Sequence, residues 1–401
     1  MISVLNCLHR SHLGGAQRRV VWVATELSKM NINTIVLFPD DDSDIFAGYL
    51  QQNGLPFIRI CLHPLRGVKH IINNLLFFLE LPVIVIKLIG IIRHNKINIV
   101  HVNGVTNIQP VLAALFCNTH VLWHWNDMLT PKLFIKTIQP LLHSKLITLA
   151  VATPAICKHY HLALKGTCIL PAPIPSAAYE INHSNLMNAF SIRRDLVPEG
   201  TTVIGFFSNL LEKKGASEFV KAAIVLCQDS KKTHAVIIGG TLPGHEKFVS
   251  SLKQQVKLHH CEGSIHFAGF HENIPQLIHE LDVFVFPSHS EACPIVVLQA
   301  MQTGVPIVAT SVGDVPRMLR GSPLPLVEPS DIDMLHQTIL AALKLSRKQK
   351  LAMAELMKQR VCSEYSLDLV VHKHFELYQS IYQKIGKVYI AHVRGHNNND
   401  S

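Results

Sequence analysis

Short apolar runs alternate with helical patterns along the whole chain. In the first half the predicted strands are Ile2–Leu8, Thr34–Phe38, Phe57–Cys61, Ile99–Val102, Val121–Trp125 and Leu146–Val151. In the second half they are Val203–Phe207, Ala235–Ile238, Ile265–Phe267, Val283–Phe286, Pro306–Val308 and Leu324–Val327. Apolar strands that alternate with helices are typical of parallel sheets covered by helices on both faces. The pattern therefore predicts an α/β protein with two doubly wound domains.

A proline-rich segment separates the two series of strands. It reads Pro171-Ala172-Pro173-Ile174-Pro175, and repeated prolines forbid a helix and favour an extended connector. We therefore place an N-terminal domain at residues 1–170 and a second domain at residues 171–366. Because ligands of such folds bind beyond the carboxyl ends of the strands, we expect the functional site in a cleft between the domains.

Composition narrows the set of partners. Only 16% of the residues are charged and 48% are apolar, which predicts extensive burial rather than disorder. The formal net charge of +9 suits phosphate-bearing substrates, an anionic membrane surface or nucleic acid. Since no run of Lys and Arg is interleaved with aromatic residues, nucleic acid is not an expected partner.

The cysteines and histidines predict a reducing compartment and no bound metal. Nine cysteines are scattered without a Cys-x-x-Cys pair, which indicates reduced thiols and a cytoplasmic location. The first apolar run, Ile2–Leu5, is too short for a signal peptide. Neither His259-His260 nor the pair His372 and His374 makes a metal-ligand set with cysteine or acidic residues, so we expect no metal site.

The segment Leu75–Ile92 is strongly apolar and almost long enough to cross a bilayer. The residues that interrupt or flank it are Glu80, Pro82, Lys87, Arg66, Lys69, Arg93 and Lys96. Strands and helices continue on both sides, which argues against a membrane span. Two alternatives stay open, namely a helix buried in the domain and a helix with one face in an anionic membrane.

The stretch that follows strand Val283–Phe286 suits a ligand with both sugar and phosphate groups. Its loop ends in Glu291, and Pro294-Ile295 fits the first turn of a helix. The Glu291 carboxylate can accept hydrogen bonds from hydroxyls, and the free amides of a helix start can hold an anion. The alternative is an ordinary step from strand to helix with an acid at the surface.

This stretch resembles the nucleotide-sugar signature of the retaining family 4 glycosyltransferases. In that signature a Glu, seven spacer residues and a second Glu precede Ala-Met and a Gly-x-Pro turn. The first Glu matches Glu291, whereas the second falls on Gln299. Ala300-Met301 and Gly304-Val305-Pro306 complete the match.

The resemblance extends from about Ser3 to about Tyr382. It implies the GT-B fold, in which two Rossmann-like domains face a cleft. It also implies that a last helix, at residues 367–385, crosses back to the N-terminal domain and is followed by a tail at residues 386–401.

The resemblance further implies which residues contact the phosphates of the donor. The segment Ser208–Gly215 is similar to the family's Gly-Arg-Leu-x-x-x-Lys-Gly, so Lys214 matches the phosphate-binding lysine and Asn209 falls on the arginine. The amides near Pro294 and Ile295 would face the phosphates. A neutral Asn209 donates hydrogen bonds but brings no charge.

Other donor contacts follow from the same resemblance. Glu291 would accept hydrogen bonds from the sugar hydroxyls, and Gln299 would touch the ribose, since its amide both donates and accepts. Phe270 lies in a turn that resembles the family's base-contacting loop. Gly14 and Gly15 form a turn after the first strand, where the family also has a Gly-Gly pair and the backbone approaches the ligand closely.

One strand of the N-terminal domain ends in further candidates. The family often has His-Asp at this place, and here the histidine falls on Asn126 while Asp127 is retained. His124 stands two residues earlier and shares the strand face with Asn126. Which of the two reaches the sugar stays open, and so does the plainer alternative of a packed strand with a capping Asp.

The resemblance implies a retaining glycosyltransferase that moves a sugar from a nucleotide-sugar to a cell-surface glycan or its lipid carrier. No Asp-x-Asp directly follows a predicted strand of the second domain, so we expect a metal-independent enzyme without a cofactor. The segment Gly313–Arg317 resembles the family's Gly-Gly-x-Pro-Glu, with Asp314 in place of the second Gly and Arg317 in place of the Glu. Departures from the family pattern at Asn126, Asn209, Gln299 and Arg317 leave two alternatives. One is a nucleotide-sugar 2-epimerase, and the other is a non-catalytic scaffold that binds nucleotide-sugars.

Overall fold

The computed structural model describes residues 1–40, 44–63, 65, 71–175 and 190–396. The chain forms two compact units. The first comprises Met1–Pro173 together with the chain from Leu367 onward, and the second comprises Ile174–Ser366. Arg66 and Lys69, which flank the long apolar segment in the sequence, lie outside the described residues.

The first unit is built on a parallel sheet of seven strands in the order β3-β2-β1-β4-β5-β6-β7. The strands are β1 Ile2–Cys7, β2 Ile32–Pro39, β3 Phe57–Ile60, β4 Ile99–Asn103, β5 His120–Trp125, β6 Ile147–Val151 and β7 Cys168–Ile169. The sequence analysis missed β7, because two residues are too few to form a recognisable apolar run.

Helices cover both faces of this sheet. They are α1 Gly15–Ser28, α2 Asp44–Gln52, α3 Ile71–His94, α4 Ile108–Phe116, α5 Lys132–Ile138, α6 Pro154–Tyr160 and the last helix of the chain, α15 Leu367–His396. Helix α15 packs with α1 through Val370, Val371 and Tyr378, which share a core with Val23 and Leu27. It extends beyond residue 385 into the segment expected to be a tail.

The second unit contains a parallel sheet of five strands in the order β10-β9-β8-β11-β12. The strands are β8 Thr202–Phe207, β9 Thr233–Ile238, β10 Ile265–Gly269, β11 Val283–Phe286 and β12 Ile307–Ala309. The helices are α7 Ile192–Asp195, α8 Ala216–Asp229, α9 Glu246–Leu258, α10 Ile274–His279, α11 Ile295–Thr303, α12 Val315–Met318, α13 Ile332–Leu343 and α14 Arg347–Arg360.

The predicted strand Leu324–Val327 is wrong. Only Val327 pairs, in an isolated parallel bridge with Thr310. Pro325 lies inside the run, and a proline cannot donate a ladder hydrogen bond, which explains why the apolar residues do not continue the sheet.

Candidate functional site

The sheet order of the second unit brings two loops together. Strands β8 and β11 are hydrogen-bonded neighbours, so the loops at their carboxyl ends, residues 208–215 and 287–294, lie side by side. The amide of His289 donates to the Lys213 carbonyl at 2.9 Å. The buried Ser288 hydroxyl oxygen lies 3.1 Å from the same carbonyl oxygen. The two parts of the predicted donor site are thus joined through the backbone.

Lys214 and Glu291, the two charged residues predicted for this site, form an ion pair. Lys214 Nζ donates to Glu291 Oε1, and the Ser288 hydroxyl donates to the same oxygen at 3.3 Å. Both side chains are largely buried, with 24% of Lys214 and 15% of Glu291 exposed. Each charge therefore has a partner, and an anionic ligand that binds Lys214 has to compete with Glu291.

Two glycines allow the neighbouring backbone to approach the Glu291 loop. Gly215 has φ +76° and a Cβ there would lie 1.9 Å from the Pro287 carbonyl oxygen. Gly313 has φ +53° and a Cβ there would lie 2.2 Å from the Glu291 carbonyl oxygen. Both positions require glycine for conformation and for space. The Glu291 loop is consequently in close contact with neighbouring backbone at Pro287 and at Glu291.

Two departures from the family pattern are bonded to each other. Arg317 makes a bidentate pair with the buried Asp314, with Nε–Oδ1 and Nη2–Oδ2 distances of 3.0 and 2.8 Å. The Tyr365 hydroxyl donates to Asp314 Oδ2 at 2.7 Å, and the Asp314 amide donates to the Ala292 carbonyl at 2.8 Å. This cluster fixes the turn that packs on the Glu291 loop, so Arg317 has a structural partner that the resemblance did not reveal.

The remaining predicted donor residues surround this loop or a nearby cavity. Pro294 caps the start of α11, and Ile295 and Gln299, both partly exposed, lie one turn apart on that helix. A cavity of about 220 Å³ opens at the carboxyl ends of β8, β9 and β10, and Phe270 lines it. Asn209 lies at its edge, with Oδ1 3.8 Å from the position that a Gly240 Cβ would take.

The sequence analysis missed Lys253 as a residue of this cavity. It lies on α9 and lines the cavity, with Nζ 5.6 Å from the centroid of the Phe267 ring. No local motif marks it, because a lysine on the exposed face of an amphipathic helix is common. Only the folding of α9 beside β10 brings its charge to the cavity.

In the first unit, Gly14 and Gly15 stand at the start of α1. The Gly14 amide donates to the Gln17 side-chain oxygen at 3.2 Å, and the Gln17 amide group donates to the Arg10 carbonyl at 2.9 Å. Gln17 thus satisfies a backbone donor at the helix start and anchors the preceding loop. Gly14 is partly exposed and Gly15 is exposed.

The structure distinguishes the candidate residues at the end of β5, which the sequence analysis left open. Asn126 and Asp127 are partly exposed at the carboxyl end of the strand, whereas His124 is fully buried. Asp127 accepts a hydrogen bond from the Leu129 amide at 3.1 Å, as a turn-capping residue does. The plainer alternative of packing and capping therefore describes His124 and Asp127 in this structure.

His124 belongs to a buried cluster with His101 and His374. One ring nitrogen from each of the three lies within 4.8 Å of the others, a grouping that spacing along the sequence did not predict. His101 Nε2 and His124 Nδ1 are 3.4 Å apart, and His101 Nδ1 is 2.6 Å from the Tyr378 hydroxyl. Arg19 Nη1 stands 3.4 Å from His124 Nε2.

Burial lowers the pKa of all three histidines, that of His374 to about 4. Neutral rings form a consistent chain in which Arg19 donates to His124, His124 donates to His101, and His101 donates to Tyr378. A dication at this place would face the buried Arg19 guanidinium, so the donor set fits the neutral chain better than a metal centre.

His9 is a second residue that the sequence analysis missed. It follows β1, and its Nδ1 is 3.3 Å from the Asn103 carbonyl oxygen at the end of β4. Gly104 has φ +92°, and a Cβ there would lie 2.8 Å from the His9 ring. The pKa of His9 is lowered by burial and by the Arg10 charge, and the nearby Asp127 carboxylate opposes only part of this shift. His9 and Asp127 thus share the carboxyl edge of the sheet.

Comparison with known proteins relates part of the chain to glycosyltransferases. Residues 201–344 match the family model described as Glycosyl transferases group 1. The lipopolysaccharide core biosynthesis mannosyltransferase LpsB of Rhizobium meliloti (strain 1021) is 36% identical over 118 residues, 29% of this chain and 34% of the relative. The O-antigen chain mannosyltransferase B of Escherichia coli is 27% identical over 38% of this chain and 40% of the relative. The chain thus spans well under half the length of these curated relatives.

Solved structures resemble the chain over nearly its full length. A glycosyltransferase from Rickettsia africae ESF-5 has a TM-score of 0.76 at 17% identity and covers 95% of this chain and 98% of its own. Anabaena Alr3699/HepE in complex with UDP and glucose has a TM-score of 0.77 at 19% identity and covers 95% and 100%. At such identities the likeness shows the fold, and it confirms the predicted α/β GT-B class.

Proposed function

We propose that this protein is a retaining glycosyltransferase that moves a sugar from a nucleotide-sugar to a glycan or lipid-linked acceptor of a cell-surface polysaccharide. One observation carries the proposal. Lys214 and Glu291 meet on adjacent loops at the carboxyl ends of β8 and β11. They lie inside the segment that matches Glycosyl transferases group 1. The Lys214 ammonium group, proposed to bind the diphosphate, is therefore next to the Glu291 carboxylate, proposed to accept hydrogen bonds from the sugar hydroxyls.

Each donor group has a proposed partner. Lys214 leaves Glu291 for the diphosphate, and the amides at the start of α11, after Pro294, share the negative charge. Glu291 turns to the sugar hydroxyls. Gln299, one turn into α11, contacts the ribose. The base occupies the cavity lined by Phe270, whose ring is 62% exposed and so offers a stacking surface.

The proposed reaction breaks the bond between the anomeric carbon and the diphosphate oxygen. The acceptor hydroxyl oxygen attacks the anomeric carbon from the same face, and its proton passes to the departing diphosphate. Lys214 and the helix amides stabilise the negative charge that develops on the leaving group. Because these groups supply positive potential, the proposal requires neither a metal ion nor a cofactor.

The relatives support a more specific choice of substrate. Two of them are named mannosyltransferases of lipopolysaccharide core and O-antigen chain synthesis. A nucleoside-diphosphate mannose is therefore the first donor to test, with UDP-glucose beside it because a structural neighbour was solved with that ligand. No disulfide joins any of the nine cysteines, and we propose a reducing, cytoplasmic location.

A panel of nucleotide-sugars tests the proposal in two stages. Thermal unfolding identifies the donor, since a ligand at about a hundred times its dissociation constant stabilises the fold by about 2.7 kcal/mol. The donor is then incubated with and without mannose-terminated and polyprenyl-linked acceptors. We expect donor hydrolysis or transfer with retained anomeric configuration. A new nucleotide-sugar made without acceptor would identify an epimerase, and binding without any turnover would identify a scaffold.

A further inference from the structure

Helix α3 is apolar on two opposite faces. It has 24 residues, Ile71–His94, and is the one described helix that is long and apolar enough to cross a membrane. One face is buried in the first unit through Phe77, Ile84, Leu88 and Ile92. A helix that is apolar all round requires an apolar surrounding on every side, and here the protein provides it on one side.

The opposite face of α3 forms an exposed stripe, which we call the α3 stripe. Its members recur three or four positions apart, so they line one side of the helix, and they are Ile72, Leu75, Leu79, Val83 and Ile86. Ile72, Leu79 and Ile86 are 75, 66 and 68% exposed. The stripe is about 21 Å long at the rise of an α-helix. Contiguous apolar surface of this kind marks an interaction site.

Charge at one end of the α3 stripe indicates the partner. Lys87, Arg93 and Lys96 are exposed along or just after the second half of the helix. Glu80, the acidic residue of α3, is paired with His63 at 2.8 Å. An apolar face next to basic side chains complements the acyl chains and headgroups of an anionic bilayer. A second copy of the chain would bring the same positive charge, which is less favourable.

The buried face decides how the helix meets the membrane. Spanning a bilayer would remove Phe77, Leu88 and Ile92 from the core, where at most 2% of each is exposed. A span would only exchange the protein contacts of these side chains for lipid contacts, so they would gain no further burial. A helix lying in the membrane plane keeps this face in the protein and buries only the α3 stripe.

We propose that the first unit docks on an anionic membrane surface through the α3 stripe, with α3 parallel to the bilayer plane. This inference goes beyond the proposed activity and does not depend on it, since it concerns the first unit and vesicle binding is measured without a sugar donor. Docking would place the protein at the surface that holds lipid-linked acceptors.

Vesicle sedimentation of the full chain tests the proposal. Vesicles are made of phosphatidylcholine alone or mixed with phosphatidylglycerol, and we expect binding to the mixed vesicles. Leu79→Glu with Ile86→Glu should lower binding at least tenfold. The matched control is Leu258→Glu with Leu351→Glu, because these leucines are also exposed, at 69 and 61%, but lie in the second unit. The control should bind as the unchanged protein does.

A second pair of substitutions tests the electrostatic part. Lys87→Gln with Arg93→Gln should weaken binding to anionic vesicles by about fivefold per residue at low salt, and high salt should abolish this difference. Thermal unfolding of every variant, with and without the nucleotide-sugar panel, separates a failed fold or a failed donor site from lost docking.

Three results would overturn the proposal. One is no sedimentation of the unchanged protein with either vesicle. Another is a control pair, Leu258→Glu with Leu351→Glu, that loses as much vesicle binding as Leu79→Glu with Ile86→Glu. The third is a protein that does not bind vesicles and is a dimer by light scattering, with Leu79→Glu and Ile86→Glu together making it monomeric. That result would show that the α3 stripe is a contact between two copies of the chain.

Discussion

Lys214 Nζ donates a hydrogen bond to Glu291 Oε1 across 77 positions of sequence. The pair joins the loops after β8 and β11, and the Ser288 hydroxyl donates to the same carboxylate oxygen at 3.3 Å. Each residue therefore stabilises the charge of the other before any ligand binds. In the proposed reaction both partners exchange this contact for a ligand group, so neither charge is left buried alone.

Lys214→Ala should weaken the binding of a free nucleoside diphosphate. Loss of one charge-assisted hydrogen bond costs about 1.5–3 kcal/mol, so we expect affinity to fall by at least tenfold in titration calorimetry. Lys221→Ala removes the same charge from an exposed position on α8 and serves as the control. Equal affinities for the Lys214 variant and the unchanged protein, both folded, would remove Lys214 from the phosphate site.

Glu291→Gln should reduce single-turnover transfer or donor hydrolysis far more than Gln299→Glu does. The first change removes a charged acceptor beside the proposed sugar position and also leaves Lys214 without its partner. The second restores the family residue in a partly exposed place on α11. We expect a loss of at least tenfold for Glu291→Gln and an unchanged or modestly higher rate for Gln299→Glu. The hypothesis fails if Glu291→Gln turns over as fast as the unchanged protein.

Arg317→Glu should destabilise the second unit. It places a carboxylate beside the buried Asp314, which is 2% exposed. Breaking such a pair costs about 2–3 kcal/mol when one partner is a third exposed. Asp314→Gly combined with Arg317→Glu restores the family pattern and removes the repulsion from Asp314, whereas Glu364, 3.1 Å from Arg317, still faces the new carboxylate. Denaturant unfolding should therefore show the double variant to be more stable than Arg317→Glu alone. If the losses of unfolding free energy of the two single variants simply add in the double variant, positions 314 and 317 are not coupled and the prediction is wrong.

The stability of the first unit should fall in acid. His101, His124 and His374 have lowered pKa values in the folded protein because burial disfavours the charged ring. Their pKa in an unfolded chain is about 6.5. Their contribution is thus fully present above pH 6.5 and is lost as pH falls towards the folded values. For His374, whose pKa is lowered to about 4, the loss between pH 7 and 5 is about 2 kcal/mol.

Unfolding by denaturant at pH 7 and pH 5 measures this loss. His374→Gln should reduce the pH dependence of the free energy of unfolding. His372→Gln, on the same helix but 61% exposed, should leave it unchanged. Identical pH dependence in both variants would show that the buried ring does not titrate as expected.

Local patterns determined the architecture. Apolar runs separated by amphipathic helices define β1 and β8 through β12 within a residue or two, because a strand buried on both faces must be apolar throughout. The same patterns failed where local chemistry overrides hydrophobicity, as Pro325 does after β12. The neighbouring places of Lys214 and Glu291 were also predictable, since both follow strands of one parallel sheet.

Tertiary structure alone decided the partners of these residues. His101 meets Tyr378 across 277 positions, and no periodicity relates β4 to α15. Arg317 departs from the family pattern in the sequence and bonds to Asp314 in the fold. The sequence of α3 is apolar all round, so only packing could decide that Leu88 is buried and Ile86 exposed. Periodicity shows whether a residue requires apolar or polar surroundings, whereas chain topology decides which residues supply them.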